Sequence, residues 1–350
     1  MASTYHYRLP YPLPLTAAPP ASASRCRFPM ASSAPLEGVS HDAGVTVSTS
    51  ESVGQNDLLI VGPGVLGRIV AEKWRQEHPD CKIYGQTATT DHHSELTKIG
   101  IIPSLKGPRV DQKVPYVIFC APPYRTDDYP GDLRINLNSK RNRWMGHALF
   151  AGTAHGHTNL TAFFGGVAAS NWSGEGSFLF TSSTAVYDCN DNGFCGEDSP
   201  CVPIGMSPRT DVLLKAENVV LEAGGCALRL AGLYKKDQGP HVFWLSKGTV
   251  DARPDLIISM IHYEDAASLG IAIMKRRLRG RVFVGCDNQP LSRQEIMDRV
   301  NRSGKFDGKF EGFTGTDGPL GKRMDNSKTR AEIGWEPKYP SFTEFLGLSN

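Results

Sequence analysis

Beyond about residue 53, apolar residues fall into short runs that alternate with stretches of helical periodicity. Leu58–Val61 is an apolar run of strand length, and the next apolar residues recur at the spacing of one helix face. Further strand-length runs follow at 82–85, 114–120 and 178–183. This alternation predicts an α/β protein with a parallel sheet. The predicted face of the first helix consists of Val65, Leu66, Ile69, Val70 and Trp74.

A glycine triplet joins the first strand to this helix. Gly62 permits a tight turn, Gly64 allows the backbone to approach a pyrophosphate, and Gly67 allows the helix to pack closely on the strand. The amides at the helix start, including those of Val65 and Leu66, would face phosphate together with the positive end of the helix dipole. This strand–turn–helix setting predicts a dinucleotide-binding Rossmann loop; glycines that serve only a turn are the alternative.

The end of the second strand bears on the choice between NAD and NADP. An acidic residue there would bind the adenosine ribose 2′-hydroxyl and favour NAD, but the chain has Gln86 and Thr87 and no acid before Asp91. Neutral groups do not repel a 2′-phosphate, so the pattern mildly favours NADP, although no Arg stands in the turn. The third strand ends in Ala121 and Pro122, which we expect to lie against the adenine or the diphosphate.

Four segments further along the chain carry recognisable motifs. They are Phe178–Tyr187, Leu228–Tyr234, Ile261–Ala267, and Asn326–Lys328 together with Ile333–Pro337. In this order they resemble the extended short-chain dehydrogenases/reductases, the NAD(P)-dependent epimerase/dehydratase group. The resemblance covers about residues 57–347. It implies a doubly wound parallel Rossmann sheet with a small C-terminal lobe that closes over the substrate.

The resemblance implies an active site and also shows a departure from it. Ser183 matches the family's catalytic hydroxyl, which stands four residues before the tyrosine of the first motif. In the family's Tyr-x-x-x-Lys pair, the lysine, here Lys215, binds the nicotinamide ribose, but Asp211 occupies the tyrosine position. A carboxylate donates a proton poorly at neutral pH, so we expect Asp211 to pair with Lys215. The other candidate proton donors are Ser183, Tyr187 and Tyr124.

Two functions follow from this departure. The first is an NAD(P)-binding oxidoreductase or epimerase that acts on a small polar substrate, such as a sugar nucleotide. The alternative is a non-catalytic dinucleotide-binding sensor or scaffold, which the carboxylate of Asp211 favours. For Lys215, a solvated charge on the helix surface is the alternative to a cofactor contact. The sequence leaves a homodimer open.

The charge and the cysteine content bear on whether the chain binds a nucleic acid, a membrane or a metal ion. Lys and Arg number 38 against 36 Asp and Glu, so the overall charge does not argue for a nucleic acid or an anionic membrane. No apolar run of about 18 residues predicts a membrane span. Cys189, Cys195 and Cys201 fall in one loop at six-residue steps. The Cys-x2–4-Cys spacing of structural zinc is missing, so we predict no metal ion, with a metal or redox cluster as the alternative.

The ends and the middle of the chain set the predicted domain boundaries. Residues 1–53 are rich in Ser, Ala and Pro and have no Asp or Glu before Glu37, which predicts a plastid transit peptide and the chloroplast stroma; a disordered tail is the alternative. We predict a nucleotide-binding domain over 54–231 and, over 232–350, a C-terminal substrate lobe with returning Rossmann elements. In the lobe, the capping-box spacing of Ser292 and Glu295 predicts a helix start. Residues 135–166 lack helical periodicity and are predicted to be an insertion, such as a translated intron. Without them, 132–134 and 167–172 would join into one amphipathic helix.

Overall fold

The computed structural model describes residues 52–106, 113–123 and 168–349. The predicted transit peptide up to residue 51, Tyr124 and the predicted insertion lie outside these described residues. The strands are β1 Leu58–Val61, β2 Ile83–Thr87, β3 Ile102–Leu105, β4 Val114–Phe119, β5 Trp172–Ser183, β6 Asp191–Cys195, β7 Cys226–Leu230, β8 Gly232–Tyr234, β9 Thr249–Val250, β10 Ile257–Ile258, β11 Met260–His262, β12 Val282–Gly285, β13 Leu291–Ser292, β14 Gly312–Phe313 and β15 Gly321–Met324. The helices are α1 Val65–Glu77, α2 His93–Lys98, α3 Pro208–Glu222, α4 Pro240–Lys247, α5 Tyr263–Arg276, α6 Arg293–Ser303, α7 Ser327–Ile333 and α8 Phe342–Phe345.

The main sheet within the described residues has seven strands in the order β12-β7-β5-β4-β1-β2-β3. Every neighbouring pair in it is parallel. All residues of β1 and β4 are buried, as expected for continuous apolar strands that are covered on both faces. The predicted doubly wound parallel sheet is therefore confirmed.

The strand order places a switch point at β1. Its neighbours are β2 on one side and β4 on the other, so the chain leaves the centre of the sheet in opposite directions. Open α/β sheets form a ligand crevice at the carboxyl ends of the strands where this reversal occurs. The carboxyl end of β1 carries the glycine loop, so the fold brings the predicted phosphate loop to the expected crevice.

Apolar side chains form a core on each face of the sheet. The first core includes Trp74 of α1 and Ile273 of α5, and the second includes Leu213 and Val220 of α3. The indole of Trp74 donates to the backbone oxygen of Asn56 at 2.9 Å, which satisfies its polar atom inside the core. These two layers explain the helical periodicity in the sequence.

The smaller sheets consist mostly of strands from the C-terminal part, together with β6. One has the order β13-β10-β15-β6, and two further pairs are β8 with β11 and β9 with β14. A capping box starts α6, because the Ser292 hydroxyl accepts from the Glu295 amide while the Glu295 carboxylate accepts from the Ser292 amide. This confirms the helix start predicted from the two residues. In the parts of the chain that the structure describes, no helix is long and apolar enough to cross a bilayer.

One predicted helix is wrong in its described part. The sequence pattern joined 132–134 to 167–172 as an amphipathic helix, but only Ala169–Asn171 forms a short 3-10 turn and Trp172 already begins β5. The indole of Trp172 donates to the backbone oxygen of Pro115 at 2.9 Å. This bond and the pairing of Trp172 with Val114 commit the segment to the sheet and override its helical pattern.

A buried ionic network ties α3 to the sheet. The Arg229 guanidinium on β7 donates to both carboxylate oxygens of Glu217 on α3, with Nη2 to Oε2 at 2.7 Å and Nε to Oε1 at 3.1 Å. The Ser182 hydroxyl on β5 donates to Glu217 Oε1 at 2.5 Å. Both charged side chains are nearly fully buried, so each depends on the other for compensation of its charge.

We expect Glu217→Gln to destabilise the protein strongly, because it leaves the Arg229 charge buried without a counter-charge. The cost should be about 3–5 kcal/mol in the free energy of unfolding, measured by denaturant titration. The control is Glu77→Gln, which removes the exposed ion pair with Lys275 and should cost less than about 1 kcal/mol. Equal effects of the two substitutions would contradict a structural role for the buried network.

Candidate functional site

The glycine loop begins with a turn that admits no side chain. Gly62 has φ +77°, and a Cβ atom on it would lie 2.6 Å from the Cα of Ala121. A Cβ atom on Gly67 would lie 2.8 Å from Cγ2 of Ile60, so α1 packs directly on β1. The turn and packing roles predicted for these two glycines are present. The same contact places the loop that begins with Ala121 beside the glycine turn, and the predicted contact of Ala121 and Pro122 with the adenine or the diphosphate stays a prediction.

Gly64, in contrast to Gly62 and Gly67, is exposed, and none of the described residues covers it. A Cβ atom on Gly64 would meet no described atom closer than the Gly62 carbonyl oxygen at 4.0 Å. Gly64 is the N-cap of α1, with no side-chain capping bond and no acidic residue in the first turn. The amides of Val65 and Leu66 begin a 13-residue helix at this open point. Uncapped amides and the positive helix end together suit an anion such as a phosphate.

The carboxyl end of β2 lies next to this loop. The Gly62 amide donates to the backbone oxygen of Gln86 at 2.9 Å, which links the loop to the strand, and the Gln86 side chain is buried. The Thr87 hydroxyl donates to the Thr89 carbonyl oxygen at 2.8 Å and lies 2.7 Å from Nε2 of His93. β2 runs to Thr87, two residues beyond the predicted end. Polar neutral groups and imidazole therefore surround the place where an NAD-specific acid would stand.

Arg68 is a residue that the sequence patterns did not single out for this edge. It lies on the first turns of α1, and its Nη2 donates to Glu95 of α2 at 3.0 Å. Its Nε donates to the carbonyl oxygen of Pro63 at 3.3 Å. The sequence has no Arg in the turn after β2, but in the structure the guanidinium of Arg68 on α1 contacts Glu95 on α2. A contact across 27 residues leaves no local signal in the sequence.

Ser183 ends β5 at the same carboxyl edge. Its hydroxyl accepts a hydrogen bond from the Ala185 amide at 3.2 Å and starts a short 3-10 turn, Thr184–Val186. The side chain is half-buried, whereas that of Ser182 is buried and directed to Glu217. Ser183 therefore has the exposure that a catalytic hydroxyl requires.

Asp211 and Lys215 do not form the expected ion pair. Both oxygens of the Asp211 carboxylate accept from the Gly205 amide at 3.0 Å. Lys215 is exposed on α3, and among the described residues no ion pair joins it to Asp211. The expectation of a pair is wrong, because the Gly205 amide occupies the Asp211 carboxylate. The helical spacing of the two residues is as predicted.

Tyr187 is a core residue, which argues against it as a proton donor. Its ring is fully buried, with the Arg229 guanidinium 4.7 Å from the ring centroid. Its hydroxyl donates to the Glu197 carbonyl oxygen at 3.4 Å, and burial raises its pKa well above the ordinary value. A substrate has no access to a side chain in this position, so the prediction of Tyr187 as a catalytic group is corrected.

The three cysteines of the 189–201 loop are free thiols. Cys189 donates weakly to Asp191, Cys195 is buried, and Cys201 is half-buried. Burial raises the pKa of both Cys195 and Cys201, which disfavours their thiolates. The described part of the chain holds no group of three or more His, Cys, Asp or Glu side chains arranged for a metal ion.

Asp287 is a buried acid just beyond β12. Its side chain is 2% exposed, and its Oδ1 accepts from the Gln289 amide at 2.9 Å. Burial raises its pKa to about 8, and the nearby carboxyl of Asp265 adds to the shift.

The C-terminal aromatic residues also pack in the interior, with His262 against Tyr234 and Tyr339. His262 is therefore a packing residue in this structure.

Comparison with known proteins finds solved structures that have a similar fold. No family model matches the chain, and no curated protein matches it. A functionally unknown conserved protein from Silicibacter pomeroyi is similar in structure at 22% identity and TM-score 0.60, covering 83% of this chain and 96% of its own. dTDP-glucose 4,6-dehydratase from Bacillus anthracis, solved with NAD, matches at 14% identity and TM-score 0.58, over 83% and 94%. UDP-glucose 4-epimerase from Thermotoga maritima, solved with UDP-glucose, matches at 15% identity and TM-score 0.59, over 83% and 96%.

These similarities concern the whole arrangement of strands and helices. At such identities they define the fold and leave the chemistry open. The chain shares the fold of the NAD-bound dehydratase and of the epimerase. The resemblance predicted from the four motifs is confirmed at this level.

Replacing the buried acid should change how stability depends on pH. The folded state keeps a proton on Asp287 between the ordinary pKa of 3.8 and about 8, so native stability falls as pH rises through this window. Asp287→Asn removes this loss, and its advantage over the native chain should grow by up to about 1.4 kcal/mol per pH unit. Denaturant titrations at pH 5, 6, 7 and 8 measure the difference.

Buried histidines do not disturb this comparison. Burial lowers the pKa of His241 and of His262 to about 4, so their contribution to stability rises with pH between about 4 and the ordinary 6.5. That slope is present in both proteins and cancels in the difference. A pH-independent difference would show that Asp287 titrates normally.

Proposed function

We propose that the chain binds a nicotinamide dinucleotide at the carboxyl ends of β1, β2 and β4. The observation that carries this proposal is the uncovered Gly64 at the uncapped start of α1, placed at the switch point of the sheet. A diphosphate needs backbone amides that it can approach closely, and a Cβ atom would block that approach. The dinucleotide-bound dehydratase of the same fold supports this assignment.

The remaining residues of the edge fit the two halves of such a cofactor. The adenosine half would lie toward Gln86 and Thr87 at the end of β2. The diphosphate would lie over Gly64, Val65 and Leu66. The nicotinamide half would extend past the Ala121–Pro122 loop toward the end of β5. When bound, the cofactor supplies hydride transfer.

The activity that we propose is that of an oxidoreductase or epimerase acting on a small polar substrate. Ser183 would hold a hydroxyl or carbonyl oxygen of the substrate at the end of β5. Neighbours of the same fold include enzymes for UDP-glucose and dTDP-glucose, which supports a sugar nucleotide as the substrate class. Asp211 is engaged by the Gly205 amide, so a group other than residue 211 would carry the proton.

Gly64→Ala should block dinucleotide binding without harming the fold. Its backbone has φ −77°, which alanine adopts, and the added methyl group meets only the Gly62 oxygen at 4.0 Å. We expect the Kd for NADPH and NADH to rise on the order of tenfold or more, because the methyl group occupies the diphosphate's approach. Titration of cofactor fluorescence measures the Kd, and thermal unfolding checks the fold.

Gly312→Ala is the matched control. This glycine also has nothing within 4 Å of its Cβ position, but it lies in β14 of the C-terminal part. We expect its dinucleotide Kd to stay within about twofold of the native value. The proposal fails if the native chain binds neither cofactor at millimolar concentration, or if Gly64→Ala binds as tightly as the native chain.

We propose a preference for NADP over NAD, with Arg68 as the phosphate contact. The end of β2 has no carboxylate that would repel a 2′-phosphate. His93 of α2 contacts Thr87 at this end, and Arg68 of α1 is paired with Glu95 of the same helix α2. A 2′-phosphate would compete with Glu95 for the guanidinium.

Arg68→Gln should therefore weaken NADPH binding selectively. Loss of one charge-assisted contact is worth about 1–2 kcal/mol, or roughly 5–30-fold in the Kd for NADPH, with little change for NADH. The reciprocal variant Glu95→Gln frees the guanidinium and should tighten NADPH binding. Equal weakening of both cofactors by Arg68→Gln would mean that Arg68 only supports the loop through Pro63.

A further inference from the structure

Lys322 reaches from the C-terminal part of the chain to the turn that follows Ser183. Its Nζ donates to the backbone oxygen of Tyr187 at 2.5 Å and to that of Thr184 at 3.3 Å. These two carbonyls flank the 3-10 turn that Ser183 starts. One ammonium group therefore joins both ends of this short turn, across more than 130 residues of sequence.

The backbone around Lys322 is built to hold this direction. Gly321 has φ +83°, and a Cβ atom there would lie 2.1 Å from the carbonyl oxygen of Ile257, so only glycine fits. On the other side, the Ser259 hydroxyl donates to the Lys322 oxygen at 3.4 Å and accepts from the Met324 amide at 2.9 Å. Both flanks of the lysine are therefore fixed.

The pairing of β15 with β6 is irregular at this residue. Gly321 pairs with Asp191 and Arg323 with Phe194, so β6 has one more residue than β15 between the two pairs. Such irregularities re-aim side chains and are common beside active sites. Here the irregularity coincides with the lysine that contacts the Ser183 turn.

The ammonium group of Lys322 lies among acceptors and titratable groups, at a position that is partly shielded from solvent. Lys322 is half-buried, and burial lowers its pKa. The charged or titratable neighbours are the carboxyl of Asp188 and the thiols of Cys189, Cys195 and Cys201. An ammonium has three donors, and the two carbonyl bonds leave one N–H for another acceptor.

Lys215, which matches the lysine of the Tyr-x-x-x-Lys pair, makes no hydrogen bond or ion pair with the Ser183 turn in the described part of the structure. Lys215 is exposed on α3, and the Asp211 carboxylate is bound to the Gly205 amide. Lys322, in contrast, contacts the Ser183 turn directly. β5 lies two strands from β1 in the sheet, on the side away from β2, where the nicotinamide half of a dinucleotide would extend.

We infer that Lys322 is the positioning residue of the site: it fixes the Ser183 turn, and with it the hydroxyl and the pocket for the far half of the cofactor. This inference rests on the proposed function for the identity of the ligand. The inference gives a positioning role to a lysine from the C-terminal part, in a chain where Asp211 replaces the tyrosine of the Tyr-x-x-x-Lys pair.

The test compares Lys322→Met, Lys322→Arg and Arg323→Met with the native full chain. Hydrogen exchange of a peptide over residues 183–190 reports the order of the turn, and cofactor fluorescence gives the Kd for NADPH and NADH. We expect Lys322→Met to speed exchange in this peptide, and to raise both Kd values, by about tenfold. Lys322→Arg keeps the charge and the donors and should stay within about threefold of the native chain in both readouts.

Arg323→Met is the matched control, because it removes a cation from the next position of β15. The charge of Arg323 lowers the pKa of Glu295 at the start of α6. In the described part of the chain, no side-chain hydrogen bond or ion pair joins Arg323 to the Ser183 turn. We expect its exchange in residues 183–190 and its Kd values to match those of the native chain. Thermal unfolding of each variant separates local from global effects.

Three results would overturn the inference. They are unchanged exchange over 183–190 in Lys322→Met, acceleration spread evenly over the whole chain, or a Lys322→Arg variant as impaired as Lys322→Met. The exchange measurement needs no ligand. If the native chain binds no dinucleotide, the proposed function fails while the exchange result still decides whether Lys322 fixes the turn.

Discussion

The buried ion pair of Arg229 and Glu217 is the interaction on which the placement of the site depends. It joins β7 to α3, and Ser182 donates into it from β5. Because neighbouring residues of a strand face opposite sides, the commitment of Ser182 to Glu217 turns Ser183 away from the helix. The two serines look equivalent in the sequence, and the ion pair is what distinguishes them. It also places Arg229 over the ring of Tyr187, which keeps that tyrosine in the core.

A second constraint acts at the other end of the crevice. Gly62 and Ala121 approach each other so closely that no side chain fits on Gly62, and this contact holds the carboxyl ends of β1 and β4 together. The same turn leaves Gly64 uncovered. Close packing on one side of the loop and open space on the other are what a phosphate cradle requires. The geometry that we propose for a phosphate site therefore follows from how β1 and β4 meet.

Local patterns in the sequence were enough to predict the sheet, the turn at Gly62, the packing at Gly67, the Ser292–Glu295 helix start and the fold. Each of these depends on residues close together in the chain or on motifs in a fixed order. The contacts of Arg68, Trp172 and Lys322 were missed because their partners lie 27 to more than 130 residues away or in a neighbouring strand. Asp211 was identified at the correct position, but its partner, the Gly205 amide, belongs to a loop whose path no periodicity specifies.

The proposed cofactor loop and residue 211 lie on separate elements of the fold. The loop is formed by β1, α1 and the end of β4, whereas residue 211 stands on α3. A change at residue 211 therefore leaves the geometry over Gly64 untouched. Ser183 stands between the two, and its turn is bonded through the main chain to Lys322 of β15. Because that lysine comes from β15, the inferred positioning of Ser183 depends on a strand that is distant in sequence from both the glycine loop and residue 211.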